Sequence, residues 1–316
     1  VDPLANSVAF LFPGQGSQFV GMGKDLALSS DSARAAFETA DSTLGYPLSK
    51  LCWEGPEADL NQTLHTQPAI LVHSVATWRA LQERVGNLRP RCLAGHSLGE
   101  FSALVAAGAL EFGDALHLVR ERARLMTEAG ERSPGGMAAL LNLGIEEAEK
   151  VCEQAAAETG EVVQVANDNC PGQVVISGTL QALERAMILA KERGARRALR
   201  LAVSVAAHSP LMRPAAGVFA RTVQSTPISP AGVSVIANVT AEPIWQVSAI
   251  REELEAQLTS PVQWTRSVRK MVAEGCVRFI ELGPKDVLTG LGRRIAPEVP
   301  GLSIGTAADL AAFDGV

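Results

Sequence analysis

The sequence predicts an α/β protein: a large body on a mainly parallel sheet, with a smaller βαββαβ unit inserted into it. Two patterns carry that expectation. Short apolar runs lead through glycine turns into helices, as in parallel α/β layers. Between residues 133 and 205 the order becomes strand, helix, two strands, helix, strand, the split βαβ pattern of ferredoxin-like units. With 316 residues, 47% of them hydrophobic, the chain has ample apolar content for such a core. Its 28 glycines and 4% aromatics suit tight turns and close helix–sheet packing.

Ser7 to Phe12 reads as a buried strand, ending in Pro13-Gly14-Gln15-Gly16-Ser17-Gln18. Arg91-Cys92-Leu93-Ala94 is a short strand entering Gly95, and Leu98 to Leu110 follows as a small-residue helix. Asp114 to Ala129 forms a helix with an apolar stripe of Ala115, Leu118, Val119, Ala123 and Met126. The inserted unit, 133–205, starts with the strand Gly136 to Leu143 and the helix Ile145 to Ala157. The strands Glu161 to Ala166 and Gln173 to Ser177 are joined across Asn167-Asp168-Asn169-Cys170-Pro171-Gly172. The helix Leu180 to Arg193 and the strand Arg197 to Val205 complete it. The body, 1–132 and 206–316, resumes with Ser234 to Ala237, a helix from about Ser248 and the strand Arg278 to Glu281.

Several function classes are disfavoured. No run approaches the ~18–20 apolar residues of a membrane helix, and no basic segment or cleavage site precedes Val8 to Phe12. The five cysteines are odd in number and scattered, which reads as reduced thiols of a cytoplasmic protein. The five histidines lack metal-ligand spacing, so no metal is expected. A net charge of −6 argues against nucleic-acid binding.

Gly95-His96-Ser97-Leu98-Gly99 is a G-x-S-x-G between strand and helix, the nucleophile-elbow pattern. The glycines permit a tight turn that exposes Ser97 and points the Leu98 N–H at a reacting carbonyl oxygen. Ser97 is thus the candidate nucleophile of an acyl-transfer reaction. A serine needs a base, and only His117 and His208 lie downstream. His117 sits mid-helix; His208, in a loop before Pro210, is the better base, and His96 keeps a lining role. No acid partner is evident, and 108 residues follow His208. That departs from an ordinary esterase, and a Ser–His pair oriented by a backbone carbonyl or an amide fits better.

Arg122 falls about 340° around the helix from Ala115, inside the apolar stripe. A buried guanidinium needs a partner. Two are open: an internal salt bridge, for example to Glu100, or a carboxylate arriving with the substrate and gripped by the planar fork. The second would select a dicarboxylic half-thioester such as malonyl. Lys191, Arg193, Arg196, Arg197 and Arg200 form a basic run that either steers an acidic partner or is a solvated helix end.

Taken with Phe12 to Gln18, Asn167-Asp168-Asn169, His208-Ser209-Pro210-Leu211-Met212, Ser260-Pro261-Val262-Gln263-Trp264 and Glu281-Leu282-Gly283-Pro284, these motifs resemble the malonyl-CoA:acyl carrier protein transacylases. These are relatives of the acyltransferase domains of fatty-acid and polyketide synthases. The resemblance implies an α/β-hydrolase-like body with a ferredoxin-like insert. It implies Ser97 as the acylated nucleophile, His208 as its base and Arg122 as the malonyl-carboxylate ligand. The N–H groups of Gln15 and Leu98 would form the oxyanion hole, and Gln263 would line the site and help orient the histidine. Malonyl-CoA and acyl carrier protein are the implied partners, with no cofactor beyond the carrier's own phosphopantetheine. Ala207, small like the serine usual before the histidine in stand-alone fatty-acid enzymes, fits that pathway and leaves room for branched acyl units. A stand-alone polyketide acyltransferase is the close alternative, and a serine (thio)esterase the more distant one.

Overall fold

The computed structural model describes residues 7–86, 88–203 and 205–315. Its body is built on a six-stranded sheet of β1 (Val8–Phe12), β2 (Cys92–Gly95), β7 (Val235–Ile236), β8 (Pro243–Ile244), β9 (Arg278–Leu282) and β10 (Gly301–Ile304). The strand order is β10-β9-β1-β2-β7-β8, parallel throughout except for β8. Every residue of β1 is buried, as expected of a central strand covered on both faces.

The second sheet comprises β3 (Gly135–Leu141), β4 (Val163–Cys170), β5 (Gln173–Thr179) and β6 (Arg197–Arg200). Its order, β4-β5-β3-β6, is antiparallel at every pairing. The helices Ile145–Thr159 and Leu180–Glu192 supply Val151, Ala155, Leu183 and Ala186 to a core of its own, against Leu140 and Ile176. This is the mixed α/β architecture with a ferredoxin-like second sheet that the sequence predicts.

Several boundaries differ from expectation. The segment Asn167 to Cys170 is the end of β4 and not a loop; two register shifts let it leave regular pairing with β5. There Asp168 N–H bonds Val262 O at 2.9 Å, tying β4 to the body. The strand expected over Arg197 to Val205 ends at Arg200, after which Leu201 makes one more bond to Met137 O and the chain turns back toward the body. Ser204, in that expected strand, lies outside the described residues. The helix expected to reach Leu110 stops at Ala106, because Gly108 turns the chain with φ 71°.

The crossing of β1, β2 and the Gly99–Ala106 helix explains both elbow glycines. A Cβ on Gly95 would stand 2.0 Å from the Gly99 carbonyl, and one on Gly99 would stand 2.0 Å from Phe12 O. Both obstacles are backbone, which cannot rotate away. Gly99→Ala is therefore expected to destabilise the fold by about 3 kcal/mol or more, beyond ordinary overpacking. Denaturant unfolding measures it, and a midpoint equal to wild type would contradict the packing described.

Candidate active site

Ser97 sits where β2 turns into the Gly99–Ala106 helix, with φ 51°, a left-handed conformation unusual for a residue with a Cβ. Asn238, just after β7, holds it there. Its Oδ1 accepts the Ser97 N–H at 2.7 Å and its Nδ2 donates to Gly95 O at 2.7 Å. One buried amide thus clamps both sides of the turn.

His208 also has a positive φ, 56°, and is buried. Its Nε2 lies 2.8 Å from Ser97 Oγ. On the other side of the ring, Nδ1 faces two carbonyl oxygens, Gln257 O at 2.8 Å and Ser260 O at 3.1 Å. Carbonyls only accept, so Nδ1 carries the proton and Nε2 presents its lone pair to the serine. Backbone carbonyls take the place where a triad would put a carboxylate. Burial, and then the Arg122 charge, depress the imidazole to about 3, so the ring is neutral at physiological pH.

Arg122, in the Phe112–Arg132 helix, is 2% exposed. Its Nη1 donates to Gln67 Oε1 at 2.8 Å; its Nη2 donates to Gln257 Oε1 at 2.9 Å and Ser97 Oγ at 3.1 Å. Nε has no hydrogen-bond partner among the described residues. Glu100 does not pair with Arg122 directly: Gln257 stands between, donating through Nε2 to Glu100 Oε2 and to Ser97 O. Burial lowers the guanidinium to about 10, which leaves it charged at neutral pH. It is a dry cation whose direct hydrogen-bond partners are all neutral, with one orphaned N–H and a second N–H on the candidate nucleophile. A carboxylate is the missing complement.

Among the described residues, the N–H groups of Gln15 and Leu98 have no hydrogen-bond partner, while those of Gly99 and Glu100 are engaged by His96 O and Ser97 O. Gln15 is anchored through its side chain to Thr63 at 3.4 Å. His96, next to Ser97, meets Asn169 Oδ1 through its Nε2 at 2.8 Å, and its ring lies 5.5 Å from that of Trp264. His117 is exposed.

Gln263 is placed differently from expectation. Its amide donates to Val239 O and accepts from Arg266, so it braces the turn after β7 and makes no hydrogen bond to His208. Three contributors went unread in the sequence, Gln67, Gln257 and Asn238. Gln257 had a readable signal. With Ile250 and Leu254 buried on the Val247–Ala256 helix, Glu253 and Gln257 fall on the same stripe, as Arg122 does on its own. Asn238, in an irregular turn, had none.

The acyl transferase domain model matches residues 9–301. The chain is 47% identical over 290 residues, 92% of this chain and 90% of the relative, to the malonyl CoA-acyl carrier protein transacylase of Bacillus subtilis strain 168. Among solved structures, it is similar to an acyl carrier protein S-malonyltransferase from Vibrio cholerae. There the identity is 46% and the TM-score 0.92, covering 97% of this chain and 99% of that one. It is likewise similar to a malonyl-transacylase solved in complex with its type II PKS acyl-carrier protein. That match has 42% identity and a TM-score of 0.93, covering 96% of this chain and 98% of that one.

Proposed function

The chain belongs to the acyl transferase domain family and, within it, to the malonyl-CoA:acyl carrier protein transacylases; from that premise we propose that it moves a malonyl group from malonyl-CoA to the phosphopantetheine thiol of acyl carrier protein, in fatty-acid synthesis, through an ester on Ser97. The observation that carries the reading is Arg122: a buried guanidinium with an unpartnered Nε, bonded to the candidate nucleophile.

The thioester of malonyl-CoA enters with its free carboxylate against Arg122, which sets the carbonyl carbon over Ser97 Oγ. His208 Nε2 takes the hydroxyl proton as Oγ attacks. The tetrahedral oxyanion is received by the Gln15 and Leu98 N–H groups, the latter at a helix N-terminus. Collapse expels CoA, whose sulfur takes the proton back from His208. The carrier thiol then runs the same steps in reverse, giving malonyl-carrier and free Ser97. Both halves exchange a thioester for an ester and back, so neither step calls for a metal, a redox cofactor or nucleotide hydrolysis.

The groups around His208 support transfer over hydrolysis. Its orienting groups are two neutral carbonyls, which stabilise an imidazolium less than a carboxylate would. The acyl-enzyme is then expected to wait for its thiol acceptor. The similarity to a transacylase solved with a polyketide carrier keeps a carrier of that type as the second reading. It uses the same residues.

Intact mass after separate incubation with malonyl-, methylmalonyl- and acetyl-CoA tests the proposal. A malonyl adduct on Ser97 that persists until carrier protein is added is the expected result; rapid loss to water would establish a hydrolase. The depressed imidazole gives a second expectation. The active form is neutral His208, which persists as pH falls through 6.5 because the folded site disfavours its protonation. The kcat/KM for acyl-enzyme formation should therefore show no limb at 6.5. A limb there would mean that the imidazole titrates as if exposed.

A further inference from the structure

Beneath Ser97, His208 and Arg122 lie two buried carboxyls that the transfer steps do not use. Glu100 stands in the first turn of the Gly99–Ala106 helix and Glu253 in the Val247–Ala256 helix, 0% and 5% exposed. They receive consecutive backbone N–H groups: Asn238 N donates to Glu100 Oε1 at 3.0 Å and Val239 N to Glu253 Oε1 at 2.9 Å. Consecutive N–H groups therefore set the two carboxyls side by side at one turn. Two carboxylates held side by side in a buried site repel each other, and a proton on one of them relieves that repulsion.

Their surroundings give no other remedy for two negative charges. Among the described residues, neither carboxyl has an ion-pair partner. From the Phe112–Arg132 helix the charged group facing them is Arg122, reached only through Gln257; from the His208 loop the titratable group is the neutral His208, beyond Ser97. The Arg213–Ser225 helix, packed on the outer side of the Val247–Ala256 helix, engages Arg251 and Glu255 instead. Burial, and for Glu100 the neighbouring Glu253 charge, push both carboxyls above the usual range.

We propose that Glu100 and Glu253 share one proton at neutral pH and act as a positioning pair, holding the Asn238–Val239 turn and Gln257 so that Ser97 and Arg122 keep their geometry. The pair then carries a single negative charge, which reaches Arg122 only through Gln257. Through Glu100 it fixes the Gln257 amide that grips both Ser97 O and Arg122. Loss of the shared proton at high pH sets two carboxylates against each other and loosens both grips.

The two residues are not equivalent, which makes the idea testable. Glu253→Gln can accept from Val239 through its oxygen and donate to Glu100 through its NH₂, replacing the proton with one that does not titrate. Glu100→Gln must accept from Asn238, and its NH₂ then opposes the donating Nε2 of Gln257. Infrared difference spectroscopy of the 316-residue chain at neutral pH, without substrate, is expected to show protonated-carboxyl C=O intensity that Glu253→Gln removes. The pH profile of kcat/KM should extend further into the alkaline range in Glu253→Gln than in wild type, and Glu100→Gln should be the more impaired at every pH. The activity arm rests on the proposed transfer reaction; the infrared arm does not, so the two can fail separately. A wild-type spectrum that loses no such intensity on Glu253→Gln overturns the shared proton. Should that variant not fold, the band must lose intensity in Glu100→Gln, and an unchanged band overturns the proposal equally.

Discussion

With malonyl-CoA as donor, Arg122→Ala is expected to lose about 30- to 5,000-fold in kcat/KM, while turnover of acetyl-CoA on the same variant falls far less. Truncating one side of a buried charge pair costs about 2–5 kcal/mol, and each 1.36 kcal/mol is tenfold in rate. Acetyl has no carboxylate, so it never gained that interaction. The comparison must be made on one variant because the guanidinium also has a structural share. Its removal leaves Gln67 Oε1 and Gln257 Oε1 without their donor, and an unsatisfied buried acceptor costs about 1–3 kcal/mol. That loss falls on both donors alike and cancels in the ratio. Equal loss with malonyl- and acetyl-CoA would mean that Arg122 only braces the two glutamines. Arg122→Lys keeps the charge but cannot fork to both, and should fall between wild type and Arg122→Ala with malonyl-CoA.

Arg122 also marks how far the sequence could be read. Its helix is long and strongly periodic, so a cation on the apolar stripe stood out, and the structure buries it there. The elbow was readable for a similar reason: strand, glycine, serine, glycine and helix is a local pattern. Less readable was anything decided by chain segments far apart in sequence. Whether Arg122 met Glu100 or a glutamine depended on how the Val247–Ala256 helix docks, more than 120 residues on. The groups that face His208 Nδ1 are backbone carbonyls, which have no side-chain signature at all; Gln263 looked suited to that task, yet it bonds elsewhere. The extension of β4 to Cys170 was hidden because Asn-Asp-Asn reads as turn chemistry. In the fold those residues bridge to Val262 and His96, and tertiary bonding outweighs local preference.

Ser97→Ala should abolish the acyl adduct and reduce transfer by about 10⁴-fold or more, the scale on which loss of a serine nucleophile acts in comparable sites. His208→Ala should cost nearly as much, and the double variant scarcely more than either single one. The geometry requires that pattern. Ser97 Oγ is hydrogen-bonded to His208 Nε2 at 2.8 Å and receives Arg122 Nη2 at 3.1 Å, so the hydroxyl is held between a base and a cation. Without the base, the cation alone cannot remove the proton; without the hydroxyl, the base has nothing to deprotonate. Groups that act in one step lose their contribution together. The measurement is transfer to the carrier thiol under single-turnover conditions, with folding verified by thermal melting. Additive losses in the double variant would show that Ser97 and His208 contribute independently and that acyl transfer does not pass through a serine deprotonated by this histidine. The Asn238 clamp and the unpartnered N–H groups of Gln15 and Leu98 remain intact in all three variants. Binding of malonyl-CoA should therefore survive, and a dissociation constant close to wild type would separate lost chemistry from a lost site.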